Sequence, residues 1–342
     1  MMRSLAVQAR GVVGVLRRGH ADALALAIGD SRAFVRSLFL ASLVRLDLAA
    51  FLAEPRTLSE LAERTAATRS DRLSAWLNVG VALHEIRRDD DRYVARGRRA
   101  RALAGGDPLL VAHYRSMLDY QSGPYEQLSE LLRTPWGEGR DDLDRHATVI
   151  AEVSRAAEPF VTPYLVDIVT AIAPRRLLDA GCGTGLYLRA MLDAVPQATG
   201  DGIDLAPEVV DDARMRLEDA GLTERASIAV GDIRTFTASA TGVYDVVTLI
   251  NNVYYFDSDE RVELYRQLRA ALTEKGELIV ITMVTPGSPA SMHLQMMLVS
   301  QGGHASLPRA GEVERDLRAA GFTAVSSTRL VPTEPFVGVR AR

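Results

Sequence analysis

The chain has 342 residues, enough to bury a sizeable core and, by length, to form two domains. Hydrophobic residues make up 47%, charged residues 25%, and the net charge is −4. This is an ordinary globular composition, with no electrostatic reason to expect nucleic acid or an anionic membrane as partner. Cys182, the single cysteine, excludes a disulfide framework and is expected of a cytoplasmic protein.

The first 21 residues hold Arg3, Arg10, Arg17 and Arg18 and no acid, but no small-residue cleavage site follows. The expectation is an amphipathic first helix on a cytosolic chain. Apolar residues at helical spacing predict a helix over 31–54, ending before Pro55. Thr57 with Glu60 three residues on is a capping-box pattern. A third helix is expected over 70–86, and "RRDDDRYVA" then reads as a hairpin turning around Asp89 to Asp91. Three helices and a hairpin make a winged-helix-like unit. Residues 105–155 look less regular and are rich in aromatics, including Tyr114, Tyr120, Tyr125 and Trp136. The expected linker is "RTPWGEGRDD", residues 133–142.

From about residue 155 strands alternate with helices. Strands are expected at "RLLDA", "GDGIDLA", "ASIAVGD", "YDVVTLI" and "GELIVITM", with helices at 186–194, 207–220 and 259–272 between them. That alternation predicts a parallel sheet covered on both faces. The last two strands, "TAVSSTRLV" and "FVGVRA", have no helix between them and imply an antiparallel edge hairpin. The fold expected is therefore α/β: a Rossmann-like seven-stranded sheet, parallel but for that hairpin, after a mainly helical N-terminal domain. The expected division is 1–150 and 151–342.

The stretch "LLDAGCGTG" leaves a strand at Asp179 and enters a helix near Leu186. Glycines there let backbone approach a ligand at the carboxyl end of a strand. Gly181, Gly183 and Gly185 give G-x-G-x-G rather than the G-x-G-x-x-G of a dinucleotide fold. Asp179 can accept hydrogen bonds from a ligand ammonium. Asp204, ending the next strand 25 residues on, stands where a ribose hydroxyl pair is held, followed by Leu205. Asp232 ends the third strand, placed to accept from an adenine amino group, with Ile233 beside it to cover the ring. Ammonium, ribose and adenine in that order describe S-adenosylmethionine.

On these motifs residues 155–342 resemble a class I S-adenosylmethionine-dependent methyltransferase. The N-terminal unit resembles the winged-helix-like dimerisation domain of small-molecule O-methyltransferases. The resemblance implies cofactor contacts at Asp179, Gly181, Gly183, Gly185, Asp204 and Asp232, with Asn251 and Asn252 after the fourth strand matching the segment that passes the methionine part. Cys182 fits as a small filler of the loop. The resemblance also implies a homodimer, a small-molecule acceptor and no membrane partner, with secondary metabolism the expected setting.

In that family a histidine after the fourth strand commonly serves as base. Here the segment reads "NNVYYFDSDE", so Tyr254 or Tyr255 stands at that place. Neither is a ready base with a pKa near 10. A carboxylate acceptor, already anionic, would need none. His293, in "SPASMHLQMM", is the next candidate for the acceptor pocket, and His304 lies in a glycine-flanked loop. No close ligand spacing points to a metal. The expected reaction is methyl transfer to an oxygen, hydroxyl or carboxylate. The alternatives are transfer to nitrogen or carbon, or a repurposed fold that decarboxylates or hydroxylates. A DNA-binding regulator is the remaining rival, suggested by five arginines in "RYVARGRRAR". The helix that would enter the groove is too apolar for that task.

Overall fold

The computed structural model describes residues 2–17, 19–135, 138–139, 142–236, 241–303 and 305–342. His304, Trp136 and much of the expected linker lie outside them. Two compact units are present, Met1–Leu118 and Asp119–Arg342. The expected division at residue 150 falls inside the helix Asp142–Ser154.

In the first unit a helix spans Ala21–Arg45, starting and stopping earlier than the predicted 31–54. It ends because Asp47 takes a left-handed backbone (φ 53), and a 3₁₀ turn, Phe51–Ala53, follows. The Thr57–Glu60 capping box forms as expected and opens the helix Leu58–Arg64. A helix over Ser70–Ala82 leads to the strands β2 (Ile86–Asp89) and β3 (Arg92–Ala95). These pair as the predicted hairpin, and a short β1 (Arg56–Thr57) adds to β3. The helix 70–82 is less uniformly buried than its sequence suggested. Leu73 and Leu77 are buried, whereas Val79 is 38% exposed. It packs inside its own unit, with Trp76 against Phe39 at 4.8 Å between ring centroids.

The second unit holds the predicted sheet. In chain order its strands are β4 (Arg176–Ala180), β5 (Thr199–Asp204), β6 (Ala226–Val230), β7 (Tyr244–Ile250), β8 (Leu272–Met283), β9 (Val325–Arg329) and β10 (Phe336–Ala341). In space they run β6-β5-β4-β7-β8-β10-β9. The first five are parallel, while β10 is antiparallel to both β8 and β9. Neighbouring residues serve opposite faces, as a period of two requires. Leu177, Val246 and Ile279 pack under the helices Glu158–Ile172, Leu186–Ala194 and Pro207–Asp219. Leu178, Val247 and Val280 pack under Ser258–Ala271 and Glu312–Ala319. Strand order reverses between β4 and β7, and in open α/β sheets the crevice outside the strand ends at such a point is where ligands bind. Residues 105–155, expected to be irregular, are largely short helices.

Candidate functional site

The loop after β4 is shaped by what surrounds it. The amides of Gly181 and Cys182 both donate to the Ile203 carbonyl of β5, at 2.8 and 2.9 Å. Gly181, Gly183 and Gly185 all have positive φ, 74°, 53° and 72°, a backbone that costs glycine little. A Cβ at Gly181 would lie 2.1 Å from the Asn252 amide nitrogen. That amide donates to the carbonyls of Gly181 (3.0 Å) and Ile250 (2.8 Å), tying the loop to the end of β7. At Gly185 a Cβ would meet Ala213 at 3.3 Å, so this glycine serves helix packing. Above Gly183 there is open space.

That space belongs to a cavity of about 540 Å³, within the usual range for small-molecule sites. Of the residues proposed from sequence, Gly181, Cys182, Gly183, Asp204, Leu205, Asp232, Ile233, Asn251, Tyr254 and Tyr255 line it. Asp179, Gly185 and His293 do not border it.

Asp179 is 1% exposed at the end of β4. Its Oδ1 accepts a 2.7 Å hydrogen bond from the Thr248 hydroxyl, and its Oδ2 has no partner. Burial, only partly offset by that bond, pushes its pKa up to about 6, and the nearby Asp204 adds to the rise. A second buried polar atom without a partner is the hydroxyl of Tyr187, a residue that borders the cavity. Ser154 and Arg155 border the same cavity, the arginine pairing with Glu158 at 3.3 Å. Asp204 accepts from the amides of Gly183 (2.9 Å) and Ala206 (3.1 Å), which orients its carboxylate beside the loop. Asp232 is held by Arg234, whose hydrogen bonds keep its carboxyl below the usual carboxylate range. These groups suit S-adenosylmethionine: an unpaired buried carboxylate oxygen for an ammonium, an arginine and a phenol for a carboxylate, and acids for hydroxyls and an amino group.

Tyr254 and Tyr255 meet edge to face at 4.7 Å, and burial raises both hydroxyls further above their ordinary value. They remain proton donors at any working pH. His293 lies on the helix Pro289–Val299 between Tyr125, whose hydroxyl is 2.8 Å from Nδ1, and Gln121, whose Oε1 is 3.3 Å from Nε2. An amide oxygen only accepts, so Nε2 carries the proton and Nδ1 accepts from the phenol. Burial lowers the His293 pKa, in keeping with this neutral form. Tyr114 packs in the core of the first unit. Among the described residues no cluster of His, Cys, Asp or Glu could hold a metal ion.

Sequence reasoning placed Asn252 in the segment passing the methionine part but not as the loop clamp, and it missed Ser154, Arg155, Tyr187 and Arg234. A polar residue on a helix carries no spacing signature. Only the doubled asparagine after β7 and the acid two residues before Arg234 hinted at a role.

Residues 177–276 match the family described as methyltransferase domain. The demethylspheroidene O-methyltransferase of Cereibacter sphaeroides is 29% identical over 75% of this chain and 69% of its own length. The 8-amino-8-demethylriboflavin N,N-dimethyltransferase of Streptomyces davaonensis is 28% identical over 83% of this chain and 86% of its own. The fold is similar to that of human N-acetylserotonin methyltransferase, solved in complex with SAM. The TM-score is 0.72 at 15% identity, over 94% of this chain and 97% of that one.

The raised Asp179 pKa makes stability depend on pH with a definite sign. Between the ordinary carboxylate range and about 6 the folded chain holds this proton more tightly than the unfolded chain. Its contribution is therefore complete at low pH and lost as pH rises through 6, on the order of 2–3 kcal/mol in all. Urea titrations from pH 4.5 to 7.5 should show that loss in the wild type and a smaller one in Asp179→Asn. Parallel curves for the two proteins would mean that Asp179 titrates normally.

Proposed function

We propose that this chain, a member of the S-adenosylmethionine-dependent methyltransferases, moves the cofactor's methyl group to an oxygen of a small molecule. The observation that carries the reading is the pair of acids, Asp204 at the end of β5 and Asp232 just after β6, that border one cavity, with the unpaired buried oxygen of Asp179 two residues before the glycine loop that lines it. The O-methyltransferase relative from Cereibacter sphaeroides supports oxygen as the acceptor atom.

In this reading Asp179 and Asn251 hold the methionine end, with Arg155 and Tyr187 toward its carboxylate. The glycine loop, with Cys182 as its buried filler, lets the backbone close on it. Asp204 takes the ribose hydroxyls, Leu205 flanks them, and Asp232 with Ile233 receives the adenine. Gly185 contributes by fixing where the following helix begins. When bound, the cofactor supplies a sulfonium methyl that is already activated. The chain's task is orientation and exclusion of water, and orientation alone is worth up to roughly 7–11 kcal/mol. Tyr254 and Tyr255 donate hydrogen bonds toward the acceptor and do not take its proton. His293 is assigned a supporting place, bracing the segment that carries Gln121 and Tyr125 beside the helix Pro289–Val299. A cytoplasmic setting is supported by the single cysteine, and no helix among the described residues is long and apolar enough to cross a membrane.

The first unit, with its helices and three-stranded sheet, is read as a winged-helix-like dimerisation domain. Its support is the run of exposed apolar side chains along the helix Ala21–Arg45: Leu24 (45% exposed), Leu26 (71%), Ile28 (63%) and Phe34 (63%). Light scattering at micromolar concentration should give twice the 37.2 kDa chain mass. A monomer would remove this assignment.

Incubating the purified chain with methyl-labelled S-adenosylmethionine and a fractionated cell extract tests the activity. Label should enter the low-molecular-weight fraction, as an O-methyl group by mass spectrometry. Label on nitrogen or carbon would correct the acceptor atom. Label on protein or nucleic acid would overturn the small-molecule reading. No S-adenosylhomocysteine in any fraction would favour a fold repurposed away from methyl transfer.

A further inference from the structure

The carboxylate of Asp232 is not free in the cavity wall. Arg234, two residues on, reaches back to it with three N–H groups. The backbone amide meets Oδ1 at 2.9 Å, Nε lies 3.0 and 2.9 Å from Oδ1 and Oδ2, and Nη2 lies 2.6 Å from Oδ2. The guanidinium also stands over the Phe256 ring at 5.9 Å, which gives it a fixed backing. Asp232, Arg234 and Phe256 all border the cavity. A carboxylate offers about four acceptor directions; the three donors of Arg234 make four contacts, Nε being shared between the two oxygens, so the edge turned to Arg234 is taken up and the carboxylate, 28% exposed, meets a ligand only from its other side. The held oxygen pair cannot rotate to present another face without breaking a charge-assisted fork.

We propose that Arg234 is a positioning residue that sets the cofactor's base preference, by fixing the Asp232 carboxylate so that its remaining exposed side meets an exocyclic amino group. The inference rests on the assignment of Asp232 to the adenine. A purine with a carbonyl at that place sets one acceptor against another and is rejected. Without the fork the carboxylate turns to solvent, or admits a bridging water, and the distinction fades. The Arg234 side chain is 55% exposed, so its loss leaves the fold intact.

The test is calorimetric titration of the full chain with S-adenosylhomocysteine and with S-inosylhomocysteine, which carries a carbonyl in place of the amino group. The wild type should prefer the adenine ligand. In Arg234→Ala that preference should fall about fivefold, the size of one lost oriented hydrogen bond. Arg234→Lys, which keeps the charge but not the fork, should fall with it. An unchanged ratio in Arg234→Ala, or equal weakening toward both ligands, overturns the positioning role. Asp232→Ala separates the two claims. If it abolishes the preference while Arg234→Ala does not, only the role of Arg234 is wrong. If Asp232→Ala leaves the preference intact, the assignment of Asp232 to the adenine fails first.

Discussion

The second unit is organised around a carboxylate that folding leaves half satisfied. Asp179 lies one residue before the end of the interior strand β4, where β5 pairs on one side and β7 on the other. Leaving a buried oxygen unpaired costs free energy, and the surrounding core makes that cost tolerable by locking the strand from both faces. Leu178 beside it and Leu177 before it are fully buried on opposite sides of the sheet. The acid cannot move to water. A cation brought by a ligand suits that oxygen, since the charged group whose field acts on it is another acid, Asp204.

In the proposed reading the rest of the site follows from the need to let a ligand near that acid. Backbone must come close, hence the left-handed glycines. A loop of glycines would wander, hence its ties to the Ile203 carbonyl below and to Asn252 beside it. Even β5 is shaped for it: a Cβ at Gly202 would lie 3.0 Å from the Cys182 sulfur and 2.4 Å from Ile228. Cys182 is thus part of the packing under the loop. Its burial and the neighbouring acids raise its thiol pKa, which keeps it unreactive.

The sheet and its strand-end acids were legible in the sequence because period-two and period-3.6 patterns alternate cleanly there. The short edge hairpin was legible because no helix separates its strands. The helix 31–54 was misjudged at both ends. Its apolar spacing continues past Arg45, but Asp47 breaks the backbone, and its first turns lie in residues whose exposed apolar side chains show no single buried stripe. Residues 105–155 looked irregular because most of their helices have only four to nine residues, too few repeats for a period, and the longer Asp142–Ser154 is kinked at His146. The cofactor end of the cavity could be placed from motifs, whereas Arg155, Tyr187 and Asn252 come together only through tertiary packing.

The central claim is that the unpaired oxygen of Asp179 is reserved for a cation on the ligand. It is tested most directly by counting protons when S-adenosylhomocysteine binds near pH 6, in calorimetry with buffers of different ionisation enthalpy. A cation beside Asp179 must drive off the proton that burial retains. About half a proton per chain should therefore be released at that pH, with affinity falling as pH drops below 6. Asp179→Asn should release none. Binding with no proton release and an affinity flat across pH 5 to 7 would contradict the account.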